Sequence, residues 1–203
     1  MHPMVTIALR AARKAGDIIE RAVENLDQLE VQSKTPNDFV TEVDRAAEKE
    51  ILANLQKAYS DHAYICEESG HIGDTDKAEF TWIIDPLDGT TNFVRGIPHF
   101  AVSIACLKNG RLEHAVVYDP IRREEFTASR GYGAQVNGRR IRVAKSFEKD
   151  SALFATGIPF GKRSEEQMDA YLGVMKSLAL GSAGIRRCGA ASRRWGASLP
   201  SRR

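Results

Sequence analysis

The densest chemistry in the 203-residue sequence is the run Trp82-Ile83-Ile84-Asp85-Pro86-Leu87-Asp88-Gly89-Thr90-Thr91-Asn92. An apolar stretch ends in two acids three residues apart. Pro86 sets the turn between them, Gly89 permits a close backbone approach, and Thr90-Thr91-Asn92 can open a short helix. Two carboxylates at a strand end can share a hard cation, and backbone N–H groups just beyond can hold an anion. The pattern suits Mg2+ together with phosphate, since Mg2+ takes oxygen ligands and borrows some of them from a substrate phosphate. Taken alone, Asp-x-x-Asp-Gly also suits an ordinary polar turn between strand and helix. An EF-hand fits less well, because the alternating acids of its loop and the Glu that closes it are missing.

Two further clusters sharpen the case. Ile65-Cys66-Glu67-Glu68-Ser69-Gly70 again puts carboxylates at the end of a short apolar run, and adjacent strands would bring Glu67 beside Asp85. Lys34-Thr35-Pro36-Asn37-Asp38-Phe39-Val40-Thr41-Glu42-Val43-Asp44 places Thr41 and Asp44 three apart, on one helix face. Lys34 and Asp44 by themselves also read as a solvated pair. His99, after Pro98, reads as a packed or surface imidazole, since Mg2+ prefers oxygen. Cys66, Cys106 and Cys188 are odd in number and widely spaced. They read as small buried apolar residues in a reducing cytoplasm, not as a disulfide framework or zinc site.

The elements that must position these residues follow from periodicity. Val5, Leu9, Ala12, Gly16, Ile19, Val23 and Leu26 predict a helix over 4–29, opened by Pro3. Val43, Ala47, Ile51, Leu55 and Ala58 predict a second over 42–59, with Thr41 as N-cap. Residues 30–40 between them carry turn chemistry. Strands are expected at Ala63–Cys66, Phe80–Ile84, Ala101–Lys108, Leu112–Tyr118, Glu125–Ser129 and Gly133–Val136. Asn109-Gly110 and Asn137-Gly138 supply hairpin turns. An antiparallel sheet after two helices is an α+β arrangement. Past a polar stretch at Val143–Asp150, Leu153–Thr156 reads as a strand. Residues 164–179 read as a helix with Met168, Leu172, Met175 and Ala179 on one face and a Ser164/Gln167 capping box, and Gly184–Cys188 reads as another strand. Three segments result: an N-terminal α+β metal-binding domain (1–145), a partial C-terminal αβ subdomain (146–192) and a basic tail (193–203).

Composition bounds the class. At 42% apolar and 28% charged, the chain is an ordinary globular protein, long enough to fold without disulfides or metal. It has no run of about 18 apolar residues for a membrane span and no secretory h-region at its start, so a cytoplasmic location is expected. The net charge of +2 hides an asymmetry. Residues 1–169 hold 22 Lys and Arg against 27 Asp and Glu, whereas residues 170–203 hold seven bases and no acid. The Arg-rich tail has neither helical nor strand period and reads as a solvated end, so direct nucleic-acid binding is not expected.

Taken together, the clusters resemble the inositol monophosphatase family, nearest its bacterial SuhB-type branch. Asp85-Pro86-Leu87-Asp88-Gly89-Thr90 matches the family's long signature. Glu67-Glu68-Ser69 and Asp38–Asp44 match in order and spacing, and Gly157-Ile158-Pro159 and Arg186–Ala191 resemble later pieces, as far as about Ser192. The resemblance implies a layered α/β/α/β/α sandwich of the sugar phosphatase type. It implies Mg2+-dependent hydrolysis of inositol monophosphate to myo-inositol and phosphate by metal-activated water, in a lithium-sensitive family. Glu67, Asp85 and the Leu87 carbonyl would bind a first Mg2+, Asp85 and Asp88 a second, and Glu67 with waters a third. Gly89 and Thr90 would hold the phosphate. Thr90 and Glu67 would orient water, with Asp44 behind Thr90 and Lys34 near the metals. Asp88, Arg186, Gly189, Ala190 and Ala191 would line the inositol side. Homodimerisation and, as an alternative to catalysis, a place in a ribosomal RNA transcription antitermination complex are also implied.

The sequence departs from this pattern after Ser192. Family members carry a later Trp-Asp motif that completes the second metal site, whereas here Trp195 precedes Gly196 and no acid follows Asp169. The join reads as a shifted frame or premature end. The expectation is an incomplete second αβ layer, apolar surface exposed around Leu153, Leu172 and Met175, a weakened second metal site and impaired activity.

Overall fold

The structure is a computed structural model that describes residues 1–26, 31–35, 38–143, 148–157 and 164–192, with backbone alone at 31–35, 38–41 and 149. The polar stretch at 144–147, the Gly157-Ile158-Pro159 match beyond Gly157, and the tail lie outside the described residues.

Helix α1 (Pro3–Val23) opens as the sequence predicts. His2 is its N-cap, and its Nδ1 accepts from the Met4 N–H at 3.2 Å. The buried stripe runs from Met4 and Val5 to Ile19. The helix stops six residues short of the predicted 29. Asn25 turns its side-chain amide onto the Arg21 carbonyl, the kind of local competition that ends helices. Val23 and Leu26 still pack against the core. A side chain at Gly16 would run into the Tyr118 ring, so this glycine lets α1 lie close on the sheet.

The predicted turn at 30–40 is instead an antiparallel ribbon of β1 (Val31–Thr35) and β2 (Asp38–Thr41). Its flanks, with Val31, Phe39 and Val40, are strand formers. Helix α2 (Glu42–Ala58) follows directly. Its buried face carries Val43, Ala47, Ile51, Leu52 and Leu55 together with two acids, Asp44 and Glu48.

Eight strands then form one sheet: β3 (Ala63–Cys66), β4 (Gly70–Ile72), β5 (Phe80–Asp88), β6 (Ala101–Lys108), β7 (Arg111–Asp119), β8 (Glu124–Ser129), β9 (Gly133–Val136) and β10 (Arg139–Ile141), with helix α3 (Thr90–Val94) between β5 and β6. The order is β10-β9-β8-β7-β6-β5-β3-β4. Both Asn-Gly turns have positive φ at both residues, as two-residue hairpins need. The sheet is not wholly antiparallel, as expected from sequence. β3 and β5 pair in parallel, because the connection between them sends β4 to the outer side of β3. The fold is mixed α+β, with α1 and α2 packed on the large sheet around Tyr64, Trp82, Ile84, Leu87, Ile104 and Val116.

Beyond it, β11 (Leu153–Ala155) and β12 (Gly184–Arg186) form a parallel pair joined through helix α4 (Glu165–Leu180). Ser164 and Gln167 form the predicted capping box. No α4 residue is buried; Leu172, Val174 and Leu180 are exposed, as is Leu153. Among the described residues, no helix is long and apolar enough to cross a membrane.

Candidate active site

The parallel pairing of β3 and β5 builds the site. Cys66 lies opposite Ile84, and the Glu67 N–H continues the ladder by donating to the Ile84 carbonyl at 3.1 Å. The next residues on the two strands are Glu67 and Asp85, so their carboxyls meet at one sheet end. Asp88 follows after a bulge in the β5–β6 register between Asp85 and Asp88. Burial first, then the Glu67 and Asp88 charges, pushes the Asp85 carboxyl up to about 9. Its Oδ1 is buried with no hydrogen-bond partner. A buried, unsatisfied carboxylate oxygen beside two more acids is costly unless a proton or a cation stands there.

Gly89 turns the chain into α3 at φ 104°. A Cβ there would sit 3.1 Å from both the Ala190 Cβ and the His99 carbonyl, so both conformation and space demand glycine. Thr90 then stands against α2. Its Oγ1 lies 3.1 Å from Asp44 Oδ1 and 3.1 Å from the Leu87 carbonyl, and its single proton serves one acceptor at a time. The Leu87 carbonyl keeps a second lone pair for another partner.

The segment 188–192 closes the other side. Asp88 Oδ1 accepts from the Ala191 N–H at 2.9 Å, and Oδ2 accepts from the Ser192 N–H and hydroxyl. Asn92 donates from Nδ2 to both the His99 and Cys188 carbonyls at 2.7 Å. Gly189, at φ 93°, packs so closely on Asn92 that a Cβ would collide with its amide.

The structure thus brings together Asp44, Glu67, Asp85, Leu87, Asp88, Gly89, Thr90, Ala190 and Ala191. Arg186 is on β12, with its guanidinium bonded to the carbonyl of neighbouring Ile185. Lys34 is on β1 and Thr41 ends β2; their side chains are outside the described residues. His99 is half-buried and its Nε2 is without a partner. Burial and Arg122 lower its pKa, which fits a packed imidazole. Cys66 and Cys106 are buried and free, and Cys188 is partly exposed.

Sequence reasoning missed three contributors. Asn92 lay inside the quoted run but was not given a role. Ser192 adds two of the donors on Asp88. Glu48 is buried one helical turn after Asp44, and an acid at a buried-face position was the available signal.

Among the described residues, no three acids, histidines or cysteines stand as a ready-made metal cage. Asp85 interacts with Glu67, and Asp88 is turned toward 191–192. The donor set nevertheless fits Mg2+. It is all oxygen, it includes an orphaned buried carboxylate oxygen, and Mg2+ is usually held by one or two carboxylates plus water and phosphate.

The sequence pattern of the inositol monophosphatase family matches residues 1–197. The chain belongs to this family. Among family relatives, it is 58% identical over 193 residues to Nus factor SuhB of Pseudomonas aeruginosa, covering 95% of this chain and 71% of that protein. It is 49% identical over 192 residues to Nus factor SuhB of Escherichia coli K12, again covering 95% and 71%. Its fold matches the extragenic suppressor protein suhB of Bartonella henselae with TM-score 0.85 at 40% identity, over 92% of this chain and 70% of that one. It also matches an inositol monophosphatase from Anabaena with TM-score 0.78 at 31% identity, over 95% and 69%.

Proposed function

We propose that this chain hydrolyses inositol monophosphate to inositol and phosphate with Mg2+ held at the Glu67–Asp85–Asp88 end of the sheet. The observation that carries this reading is the buried, partnerless Asp85 Oδ1, whose carboxyl feels the neighbouring Glu67 and Asp88 charges. Glu67, Asp85 and the free lone pair of the Leu87 carbonyl would hold one Mg2+, and Asp85 with Asp88 a second. Bound there, Mg2+ supplies neutralisation of the phosphate charge and a more acidic water.

The remaining work falls to the protein. With its proton on Asp44, Thr90 would keep its oxygen free to accept a hydrogen bond from the attacking water and so aim it. Gly89 sets the left-handed turn into α3, where the backbone N–H groups of Gly89 and Thr90 would meet a phosphate. Asp88, held in place by the Ala191 and Ser192 donors, would turn its remaining lone pairs toward a polyol hydroxyl.

Mg2+-dependent phosphate release from inositol monophosphate tests the reading, run beside Asp85→Asn and beside a version extended with a relative's C-terminal portion. Turnover by the parent and near-total loss in Asp85→Asn support it. Substantial Mg2+-dependent turnover by Asp85→Asn refutes it.

A second reading rests on the name shared by the relatives at 58% and 49% identity, Nus factor SuhB. It makes the chain a protein partner in transcription antitermination through its surface, independent of catalysis. Retention of transcription proteins by Asp85→Asn supports this reading. Binding lost in step with the metal argues against it.

A further inference from the structure

We infer that Glu48 is a positioning residue that holds Glu67 at the metal end of the sheet. The inference rests on the phosphatase reading above and deepens it. Glu48 lies on α2 with 1% of its surface exposed. A carboxylate that deep is costly unless its oxygens are satisfied. Its Oε2 accepts from the Glu68 N–H at 2.8 Å, and its Oε1 accepts from the Ser69 N–H at 2.9 Å and from the Ser69 hydroxyl. All three donors belong to the turn that joins β3 to β4, immediately after Glu67.

Glu67 is therefore pinned on both sides. Its own N–H is taken by the Ile84 carbonyl of β5, and the two following N–H groups are taken by Glu48. The side chain of Glu67 reaches outward from this clamp, beside the Asp85 carboxyl.

The helix gives the clamp its scale. Asp44 and Glu48 are four residues apart, about 6 Å along α2. Asp44 meets Thr90 and Glu48 meets the Glu67 turn, so one rigid helix spaces the water-orienting hydroxyl from the first metal ligand. Supporting groups of this kind typically change metal affinity by about 10–100-fold when lost.

The test replaces Glu48 with Gln, which keeps the size but aims an NH2 at one of the two backbone donors. Ser69→Ala serves as a milder second variant, removing one donor alone. Mn2+ titration, amide exchange at Glu68 and Ser69, and phosphate release are measured on the parent and both variants. The expected result is about tenfold or more weaker Mn2+ binding in Glu48→Gln, with a smaller loss in Ser69→Ala. Exchange at Glu68 and Ser69 is expected to quicken, and kcat to recover at high Mg2+, which a loss of fold would not permit. Unchanged Mn2+ affinity in a folded Glu48→Gln overturns the inference. A parent that binds no Mn2+ overturns the phosphatase reading instead, and amide exchange then decides: equal exchange in parent and Glu48→Gln overturns the clamp. If Glu48→Gln does not fold, unchanged exchange and affinity in Ser69→Ala overturn it.

Discussion

Adding Mg2+ to the metal-free protein should expel a proton from Asp85. Burial and the neighbouring Glu67 and Asp88 carboxylates hold that carboxyl near 9. At pH 7, two units below, it is about 99% protonated. A carboxylate ligates only after losing its proton, so binding should release about one proton per cation entering between Glu67 and Asp85. Below about pH 9 the apparent affinity should rise about tenfold per pH unit, and the released fraction should fall toward half at pH 9. Titration calorimetry at pH 7 in buffers of different ionisation enthalpy measures the release directly. Observed enthalpy plotted against buffer enthalpy should have a slope near one proton, and Asp85→Asn should show no such release. Saturable Mg2+ binding at pH 7 with a slope near zero would refute the reasoning, because Asp85 would already be ionised in the free protein.

Other perturbations have equally definite outcomes. Asp85 binds its proton in the folded chain between about pH 4 and 9 but not in the unfolded chain, so its contribution to metal-free stability falls as pH rises through that window. The stability of metal-free Asp85→Asn relative to the parent should therefore be greater at pH 8 than at pH 5; urea unfolding at the two pH values measures the difference. Asn92→Ala removes both bonds that join α3 to the His99 and Cys188 carbonyls, and urea unfolding should show a loss of about 1–3 kcal/mol. Burial lowers the pKa of His62, whose Nδ1 accepts from the Trp82 Nε1–H at 2.9 Å, and also lowers those of His99 and His114. These depressed bases stabilise the fold above their ordinary pKa of about 6.5. In Asp85→Asn, where the opposing Asp85 proton is absent, the melting temperature should fall as pH drops from 7 to 5, with a change in Trp82 fluorescence.

Much of this site was legible because its parts are local. Asp85-Pro86-Leu87-Asp88-Gly89-Thr90 carries its strand end, bulge and left-handed glycine in one run, and the structure realises all three there. The placement of Glu67 beside Asp85 followed from two apolar runs ending in acids. The helices and hairpins that set these ends were visible through the 3.6 period and the two Asn-Gly turns. What was hidden depends on distant partners. The β1–β2 ribbon was hidden by the turn-forming residue types in the sequence Lys34–Asp38, which outweigh the few strand formers Val31, Phe39 and Val40. Parallel pairing of β3 with β5 cannot be read from alternation, since either direction buries the same faces. Glu48 looked like one acid among several in a charged helix, and its value lies in three donors about twenty residues away. Arg186 was expected on the substrate side by resemblance, and its recorded bond is to its own strand neighbour.

The bonds from Asp88 to Ala191 and Ser192, and from Asn92 to Cys188, tie residues about a hundred positions apart. Closing a loop of that length costs about 4 kcal/mol of chain entropy before any contact repays it. The sheet end with Glu67 and Asp85 needs only neighbours close in sequence and can form early. The 188–192 segment must arrive late, after β6 to β10 have been laid down. On the ribosome, N-terminal parts emerge first, so the Glu67–Asp85 end would be built before residues 188–192 have been synthesised. The order of assembly is thus written into the spacing: sheet end first, wall last.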